Sequence, residues 1–422
     1  MSLLDDLRWR GLVYDHTPGL EDHLASGPVT AYCGFDPTAD SLHIGHLLPL
    51  MGLARLQRHG HRPVALVGGG TGLIGDPSGK RAERTLQTLE QVEANVRGLR
   101  AQMEAILDFE GEHAAKVMNN ADWLTTIPLT DFLRDVGKHF TIGYMTAKES
   151  VKSRLDSEVG LSFTEFSYQL LQAYDFLVLH EREGVTLQVG GSDQWGNITA
   201  GTDLIRKTHG EKAHGLVYPL VKNAAGTKFG KTEAGAVWLD PERTSPYRFY
   251  QFWLGTDDRD VIDRLKSFTW LSREEIEALE AEHAEAPHRR IAQKALAEAV
   301  TAMVHGPDGL AGAQRATDAL FGGDLAALSV REIGEVFEGV PESAMPASAF
   351  EGEGLEIVDV LADAGATKSK GEARRLVQGG GVRIGNEKVD AERRVTVADA
   401  LHGEVIVVRM GKKRVHLVRL ER

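Results

Sequence analysis

The chain has 422 residues, 42% apolar and 26% charged, a composition typical of a soluble globular protein of about two to four domains. Its net charge of -13 argues against a basic nucleic-acid-binding protein, but residues 351–422 carry 14 Lys and Arg against 12 Asp and Glu, so a local basic face is possible there. A single cysteine excludes an intrachain disulfide and a cysteine-cluster metal site. Neither a signal peptide nor a run of about 18 apolar residues is found, so no membrane-spanning segment is expected.

Strands and helices alternate along the first half of the chain. The predicted strands are 29–35, 63–67, 115–118 and 185–189, and the predicted helices begin at Ile44 or span 81–107, 162–179 and 195–207. Such alternation predicts a parallel α/β sheet over residues 1–220. Asp40 or Ser41 is expected to cap the helix that begins at Ile44.

The rest of the chain predicts three further segments. Residues 221–325 contain helix-rich stretches dominated by Ala, Glu, Leu and Arg. Residues 326–354 include Pro, Ser and acidic residues, which is typical of a linker. Residues 355–422 are expected to form a compact unit of short strands and a helix.

Two histidines mark the start of the helix at Ile44. His43 and His46 are three residues apart, which favours one helix face, and Thr38 precedes them. The backbone N–H groups of a helix N-terminus favour phosphate, and imidazole donors beside them can follow an oxyanion as it forms. Two core or surface histidines, or a pair of metal ligands, are the alternatives. No further ligand cluster lies nearby to favour a metal.

A second segment, Lys228-Phe229-Gly230-Lys231-Thr232, carries two ammonium groups around a glycine. A loop of this composition can close on the charge of a leaving phosphate and release the product afterwards. A solvated lysine turn is the alternative. Taken with the two histidines, the segment indicates a site that holds a triphosphate.

The segment Gly70-Thr71-Gly72-Leu73-Ile74-Gly75 follows a predicted strand and matches the G-x-G-x-x-G pattern of dinucleotide-binding proteins. Asp76-Pro77 comes next, where that pattern requires a helix. A glycine-rich crossover loop beside a ligand is therefore the favoured interpretation, and Asp76, Lys80 and Arg84 can face that ligand.

Two further groups of polar residues flank predicted helices. Gly191 and Asp193 lie between a strand and a helix, where a carboxylate can accept two ribose hydroxyls or simply cap the helix. Tyr168, Gln172 and Asp175 share one helix face among apolar neighbours. They line a pocket for a small polar ligand or, alternatively, form a polar outer face.

These residues resemble those of a known family. His43-Ile44-Gly45-His46 matches the HIGH signature of class I aminoacyl-tRNA synthetases, and residues 228–232 resemble their KMSKS loop, with both lysines retained and Phe, Gly and Thr in place of Met, Ser and Ser. The segments that resemble bacterial tyrosyl-tRNA synthetases are 32–38, 68–80, 163–176 and 190–197, and the tail from Leu355 resembles an S4-type RNA-binding domain.

The resemblance implies an α/β protein with a Rossmann-like catalytic domain (1–220), a lysine loop and helical anticodon-side domain (221–325), a linker (326–354) and an S4-type domain (355–422). It implies a tyrosine–tRNA ligase that uses ATP with Mg²⁺ as a substrate complex, without a prosthetic group or a metal site of its own. Tyrosyl-adenylate and pyrophosphate form first, and tyrosine is then transferred to the 3′ end of tRNA(Tyr). A cytoplasmic homodimer is implied by the family alone.

The resemblance also assigns roles to individual residues. The tyrosine-binding residues would be Tyr32, Asp76, Tyr168, Gln172, Asp175 and Gln188, with Tyr32 and Asp175 on the phenol hydroxyl. The ATP-binding residues would be Gly34, Asp36, Gly45, Gly191, Asp193, Gln194, Lys231 and Thr232. The groups that act on the phosphates would be Thr38, His43, His46, Lys228 and Lys231, with Lys80 and Arg84 as further candidates. The tRNA-binding residues would be Lys368, Lys370, Arg374, Arg375 and Arg383.

Three other functions remain open from the sequence. A tryptophan-specific relative shares the two signatures, although Asp175 and the tail argue against it. A non-catalytic RNA-binding paralogue would keep the fold, but the intact histidines and lysines argue against it. A dinucleotide-dependent enzyme would have to bind NAD tightly.

Overall fold

The computed structural model describes residues 2–421 with gaps at 77–86, 149–150, 153–154, 156–160, 225, 227–228, 233–234, 321 and 412–413, and describes residues 231, 232 and 320 by their backbone alone. The chain divides into two compact units. The larger comprises Met1–Thr244 and Phe252–Val304, and the smaller comprises Ser245–Gln251 and His305–Arg422. Among the described helices, none combines the length and the apolar character that crossing a bilayer requires.

The larger unit is built on a sheet whose strand order, in the described part of the chain, is β1-β6-β5-β2-β3-β4. The strands are β1 (Asp15–His16), β2 (Thr30–Phe35), β3 (Arg62–Val67), β4 (Lys116–Asn119), β5 (Val185–Gly191) and β6 (His214–Tyr218). Strands β2 to β6 run parallel, and β1 pairs antiparallel with β6. The predicted parallel α/β sheet is therefore confirmed. The strand order reverses between β2 and β5, which is where such sheets bind ligands.

The larger unit also contains helices. They span Leu3–Trp9, Leu20–Ala25, Ile44–Arg58, Leu89–Met103, Ala121–Leu124, Leu129–Asp131, Ile142–Thr146, Phe163–Glu183, Trp195–His209, Val261–Phe268 and Arg273–Glu285. Helices Pro246–Leu254 and Ile291–Leu320 contain residues of both units, and Gly306 interrupts the second. Of the helix predicted over 81–107, residues 81–86 lie outside the described residues. The observed helix is Leu89–Met103, and the Thr88 hydroxyl caps it by accepting from Gln91 N–H (3.3 Å).

The smaller unit contains a sheet of order β12-β11-β14-β15-β9 in its described residues. Its strands are β9 (Glu342–Pro346), β11 (Val382–Ile384), β12 (Glu387–Lys388), β14 (Val405–Met410) and β15 (Arg414–Glu421), with β10 (Leu355–Glu356) and β13 (Arg394–Val395) as a separate pair. Its remaining helices are Val330–Val336, Ile357–Asp363 and Lys370–Gln378. Residues 326–354, interpreted above as a linker, thus include a helix and β9, which pairs in parallel with β15.

Two buried histidines make the stability of the fold depend on pH. Burial lowers the pKa of His61 and of His214 to about 4. The neutral His61 Nδ1 accepts a hydrogen bond from Val29 N–H (3.2 Å). Because an unfolded histidine has a pKa of about 6.5, the unfolded chain takes up protons first as the pH falls. We therefore expect the free energy of unfolding to fall between about pH 6.5 and pH 4, and to fall less in His61→Asn. Urea unfolding across this range measures both slopes, and identical slopes would contradict the assignment to His61.

Candidate active site

A cavity of about 610 Å³ opens at the carboxyl ends of β2, β3, β5 and β6, beside the reversal of strand order. Most of the candidate residues from the sequence line it, namely Tyr32, Gly34, Asp36, Thr38, His43, Gly45, His46, Asp76, Tyr168, Gln172, Asp175, Gln188, Gly191, Asp193 and Gln194. Lys80, Arg84 and Lys228 lie outside the described residues, and nothing is described of the Lys231 and Thr232 side chains. The structure thus gathers residues that lie far apart in the chain into one cavity.

One end of the cavity is formed by Tyr32 and Asp175. Tyr32 is fully buried on β2, and its hydroxyl makes no hydrogen bond within the described residues. Burial, together with the Asp175 carboxylate, raises the pKa of Tyr32 well above its usual value. A buried hydroxyl of this kind suits a ligand that brings its own hydrogen-bonding group.

The Asp175 carboxylate is held by two donors. Asn120 Nδ2 donates to Oδ2 (2.9 Å) and Trp123 Nε1 donates to Oδ1 (2.7 Å). Burial raises the pKa of Asp175 to about 7, although these two hydrogen bonds oppose the rise. The sequence analysis missed both donors. The signal available for Asn120 was its position two residues after the strand predicted over 115–118, where polar side chains face the ligand edge of a parallel sheet.

Two further carboxylates line the middle of the cavity. Asp36 accepts from the Tyr168 hydroxyl (2.9 Å) and from the Thr71 hydroxyl (2.9 Å). Asp76 accepts from Gln194 Nε2 (2.7 Å). Both carboxylates line the cavity, so they offer acceptor oxygens to a cationic group bound there.

The two histidines of the first signature are stacked at the start of a helix. Their ring centroids are 4.0 Å apart. His43 Nδ1 accepts from Gly45 N–H (3.0 Å), and His46 Nδ1 accepts from His43 N–H (3.3 Å). Since each Nδ1 is an acceptor, the hydrogen of each neutral ring is on Nε2, which leaves an N–H donor at the far side of each imidazole.

The predicted cap of this helix was wrong. His43, and not Asp40 or Ser41, is the N-cap of Ile44–Arg58. The Ser41 hydroxyl instead donates to Leu42 O (2.8 Å). Leu42 and His43 pair through their backbones with Leu239 and Trp238, which holds them in an extended conformation, so the helix begins only after them. His43 therefore precedes the helix on whose face it was expected.

Backbone hydrogen bonds bring the second signature to the first. Ile44 N–H donates to Val237 O (3.0 Å), and Val237 N–H donates to Gly230 O (3.2 Å). Gly230 has a φ of +87°, and a Cβ there would lie 3.5 Å from the Gly45 nitrogen. The segment that carries the two lysines therefore passes directly beside the N-terminus of the histidine helix.

The glycine-rich segment forms a short 3₁₀ turn, Thr71–Leu73, rather than the start of a long helix. Asn120 ties this turn to the sheet, since its Oδ1 accepts from Gly70 N–H (2.7 Å) and its Nδ2 donates to the Thr71 hydroxyl (3.0 Å). The geometry therefore differs from that of a dinucleotide-binding fingerprint, in which the glycines open a helix.

The predicted tRNA-binding residues are all exposed but do not share one surface. Lys370, Arg374 and Arg375 lie on the helix Lys370–Gln378, and Lys368 lies just before it. This helix covers the sheet face formed by Val382 and Ile384, so Arg383 points to the opposite face. Lys370 Nζ is also paired with Asp359 Oδ1 (2.7 Å).

The chain is similar to known proteins over its full length. The family described as "tRNA synthetases class I (W and Y)" matches residues 24–322, and the "Tyrosine--tRNA ligase SYY-like C-terminal domain" matches residues 332–418. Tyrosine–tRNA ligases from Roseiflexus castenholzii and Geobacillus stearothermophilus are 59% and 55% identical, over 99% of this chain and 99% and 100% of theirs. A C-terminally truncated mitochondrial tyrosyl-tRNA synthetase from Aspergillus nidulans superposes with a TM-score of 0.69 at 32% identity, over 76% of this chain and 94% of that one.

Proposed function

The chain belongs to the tyrosine–tRNA ligases within the class I tRNA synthetases, and from that premise we propose how its cavity carries out the two steps of the reaction. A carboxylate oxygen of tyrosine attacks the α-phosphorus of ATP, and the bond to the β-phosphate oxygen breaks, so pyrophosphate leaves with the electron pair. A ribose hydroxyl at the 3′ end of tRNA(Tyr) then attacks the tyrosyl carbonyl and AMP leaves. Both steps depend mainly on positioning and on stabilisation of developing charge.

The observation that carries the proposal is the buried Tyr32 hydroxyl beside Asp175, which makes no hydrogen bond in the part of the chain that the structure describes. The phenol hydroxyl of tyrosine can donate to the Asp175 carboxylate and accept from the Tyr32 hydroxyl. Phenylalanine would leave the Tyr32 hydroxyl buried without a partner, which costs about 1–3 kcal/mol, and would add no donor to the two that already hold Asp175. Gln188, whose Oε1 is buried without a hydrogen-bond partner in the described residues, lines the same cavity.

The remaining groups suit the other parts of the substrates. The α-ammonium of tyrosine fits between Asp76, Tyr168 and Gln172, close to Asp36. For ATP, which enters with Mg²⁺, Gly191, Asp193 and Gln194 are suited to the ribose. The open space beside Gly34, where a Cβ would meet no atom within 4 Å, leaves room for a ligand.

We propose that the phosphates of ATP bind at the N-terminus of the helix Ile44–Arg58. His43 and His46 offer Nε2–H donors there, Gly45 offers close backbone approach, and Thr38 lies at the rim. We assign Lys228 and Lys231 to the leaving pyrophosphate, Thr232 to ATP, and Lys80 and Arg84 as further candidates for the phosphates.

The test is tyrosine-dependent exchange of labelled pyrophosphate into ATP. We expect exchange with tyrosine and much weaker exchange with phenylalanine or tryptophan. Exchange that depends on tryptophan would favour the tryptophan-specific alternative. RNA binding by an intact protein that exchanges no pyrophosphate would favour a non-catalytic paralogue and would overturn the proposal.

We propose that the segment 355–422 binds tRNA through the helix Lys370–Gln378. Reversing the charge of Arg374 and Arg375 to Glu should lower kcat/KM for tRNA charging by about tenfold or more, because each lost phosphate contact also loses counterion release. Pyrophosphate exchange should be unchanged. The double reversal Arg97→Glu with Arg100→Glu, at two exposed arginines on the helix Leu89–Met103, is the control, and an equal loss of exchange and charging would contradict a role in tRNA binding.

We propose a homodimer in the cytoplasm, with an interface that includes described apolar side chains of the segment 129–163. Leu129, Ile142 and Phe163 are 71%, 67% and 79% exposed, which is typical of apolar side chains that a partner covers. Phe163→Lys should shift the protein towards monomer in sedimentation velocity at low concentration. Leu89→Lys, at a side chain that is 49% exposed outside this segment, should not. A monomeric wild-type protein would contradict the proposal.

A further inference from the structure

The segment that carries the two lysines is fastened at its base by an ion pair. Asp260 Oδ2 accepts a hydrogen bond from Ala224 N–H (2.8 Å). Arg264, one turn later on the helix Val261–Phe268, donates to Lys222 O and lies 3.7 Å from Asp260 Oδ2. The two side chains thus hold two backbone groups immediately before the lysine signature.

Arg264 also reaches the signature itself. Its guanidinium carbon lies 4.6 Å from the centroid of the Phe229 ring, which is within cation–π range. The same ring packs in an aromatic cluster with Phe252, Trp253 and Phe268, at centroid distances of 5.3, 5.5 and 5.6 Å. Phe229, which lies between Lys228 and Gly230, is therefore held from one side by Arg264 and from the others by aromatic rings.

Backbone hydrogen bonds also hold this segment, from Phe229 N–H to Val221 O (3.0 Å) and from Val237 N–H to Gly230 O (3.2 Å). Phe229 and Gly230 line the large cavity on one side, and they also line a second cavity of about 290 Å³, together with Asn223, Ala224 and Phe252. The backbone here borders open space on two sides, so its position depends on the contacts that its own residues make. The bonds from Asp260 and Arg264 are thus among the contacts that fix it.

We propose that Asp260 and Arg264 are positioning residues for adenylate formation, which set where the segment bearing Lys228 and Lys231 stands relative to the histidine helix. Neither side chain lines the phosphate end of the cavity, so both act through the backbone of residues 222–224 and the ring of Phe229. Burying a guanidinium is costly unless it is paired and hydrogen-bonded. Arg264 pairs with Asp260, and its other contacts, Lys222 O and the Phe229 ring, belong to the chain at and just before the lysine signature. The inference rests on the proposed function.

The test compares Asp260→Ala with Asp263→Ala. Burial lowers the pKa of Arg264 and both carboxylates oppose this shift, but only Asp260 accepts a hydrogen bond from Ala224. Asp260→Ala should lower the single-turnover rate constant for adenylate formation at saturating tyrosine and ATP by about 10- to 100-fold, as expected for a misplaced charged group. The dissociation constant for tyrosine should be unchanged. Asp260→Asn keeps an oxygen acceptor for Ala224 N–H, so its rate constant should lie between those of Asp260→Ala and Asp263→Ala. This variant remains informative if Asp260→Ala folds poorly.

A double-mutant cycle with Lys231→Ala separates positioning from general destabilisation. If Asp260 acts through the lysine segment, Asp260→Ala should have little further effect on the rate constant once Lys231 is gone. Fully additive losses, or a rate constant for Asp260→Ala equal to that for Asp263→Ala, would overturn the inference. A wild-type protein that forms no adenylate would instead overturn the proposed function.

Discussion

Replacing Asp175 with alanine should abolish most of the affinity for tyrosine and, with it, tyrosine-dependent exchange. The substitution removes the acceptor for the phenol hydroxyl, and a hydrogen bond to a charged group is worth about 1.5–3 kcal/mol. It also leaves Asn120 Nδ2 and Trp123 Nε1 buried without their acceptor, at about 1–3 kcal/mol each. The expected result is a rise in the dissociation constant for tyrosine of about 10- to 150-fold and a lower Tm.

Asp175→Asn distinguishes recognition from folding. The asparagine amide has one oxygen acceptor, so it can satisfy Asn120 or Trp123 but not both, and its NH₂ group must face the other donor. We therefore expect partial loss of stability and a large loss of discrimination between tyrosine and phenylalanine in the exchange assay. Asp122→Ala removes an exposed carboxylate from the same region and is the control. Unchanged discrimination in Asp175→Asn would show that the phenol hydroxyl is recognised elsewhere.

The sheet could be predicted from the sequence because its signals are local. Apolar runs such as Pro63-Val64-Ala65-Leu66-Val67 are short, bounded by turns and separated by helical periodicity, so each strand is specified by its own residues. The helix expected over 162–179 spans Phe163–Glu183 for the same reason, with Ser162 as N-cap and Gly184 in the left-handed conformation as C-cap. These fold predictions are confirmed.

The contacts that organise the cavity could not be predicted in this way. The donors Asn120 and Trp123 are 55 and 52 residues away from Asp175. The Asp260–Arg264 pair contacts a segment about 40 residues earlier, and neither residue stands out in an amphipathic helix rich in charge. The choice of His43 as N-cap depends on a bridge to Trp238, which no local pattern reports. Periodicity predicts which face of an element is buried but not which distant residue meets it.

The histidine helix provides the second large effect. His43→Ala should raise the activation free energy of tyrosine activation by about 2.7–4 kcal/mol, which lowers its rate constant by about 10²- to 10³-fold. This is the usual effect of removing one donor to developing negative charge. The dissociation constant for tyrosine should change little, because Tyr32 and Asp175 recognise the ring through other contacts. The substitution also removes an N-cap, which costs about 1 kcal/mol of stability, so the two effects must be separated.

His43→Ser separates them. Serine is a good N-cap, so it should restore the Tm that His43→Ala loses, but its hydroxyl is too short to replace the Nε2–H donor at the far side of the imidazole. We expect the serine and alanine variants to have similar, low rate constants in single-turnover adenylate formation, with the serine variant closer to wild type in thermal unfolding. Gly45→Ala should resemble the alanine variant in rate, because its Cβ would lie 2.7 Å from His43 Cε1 and would displace the ring. If His43→Ser regained the wild-type rate constant, His43 would act by capping the helix, and the phosphate would have to be stabilised by other groups at the cavity.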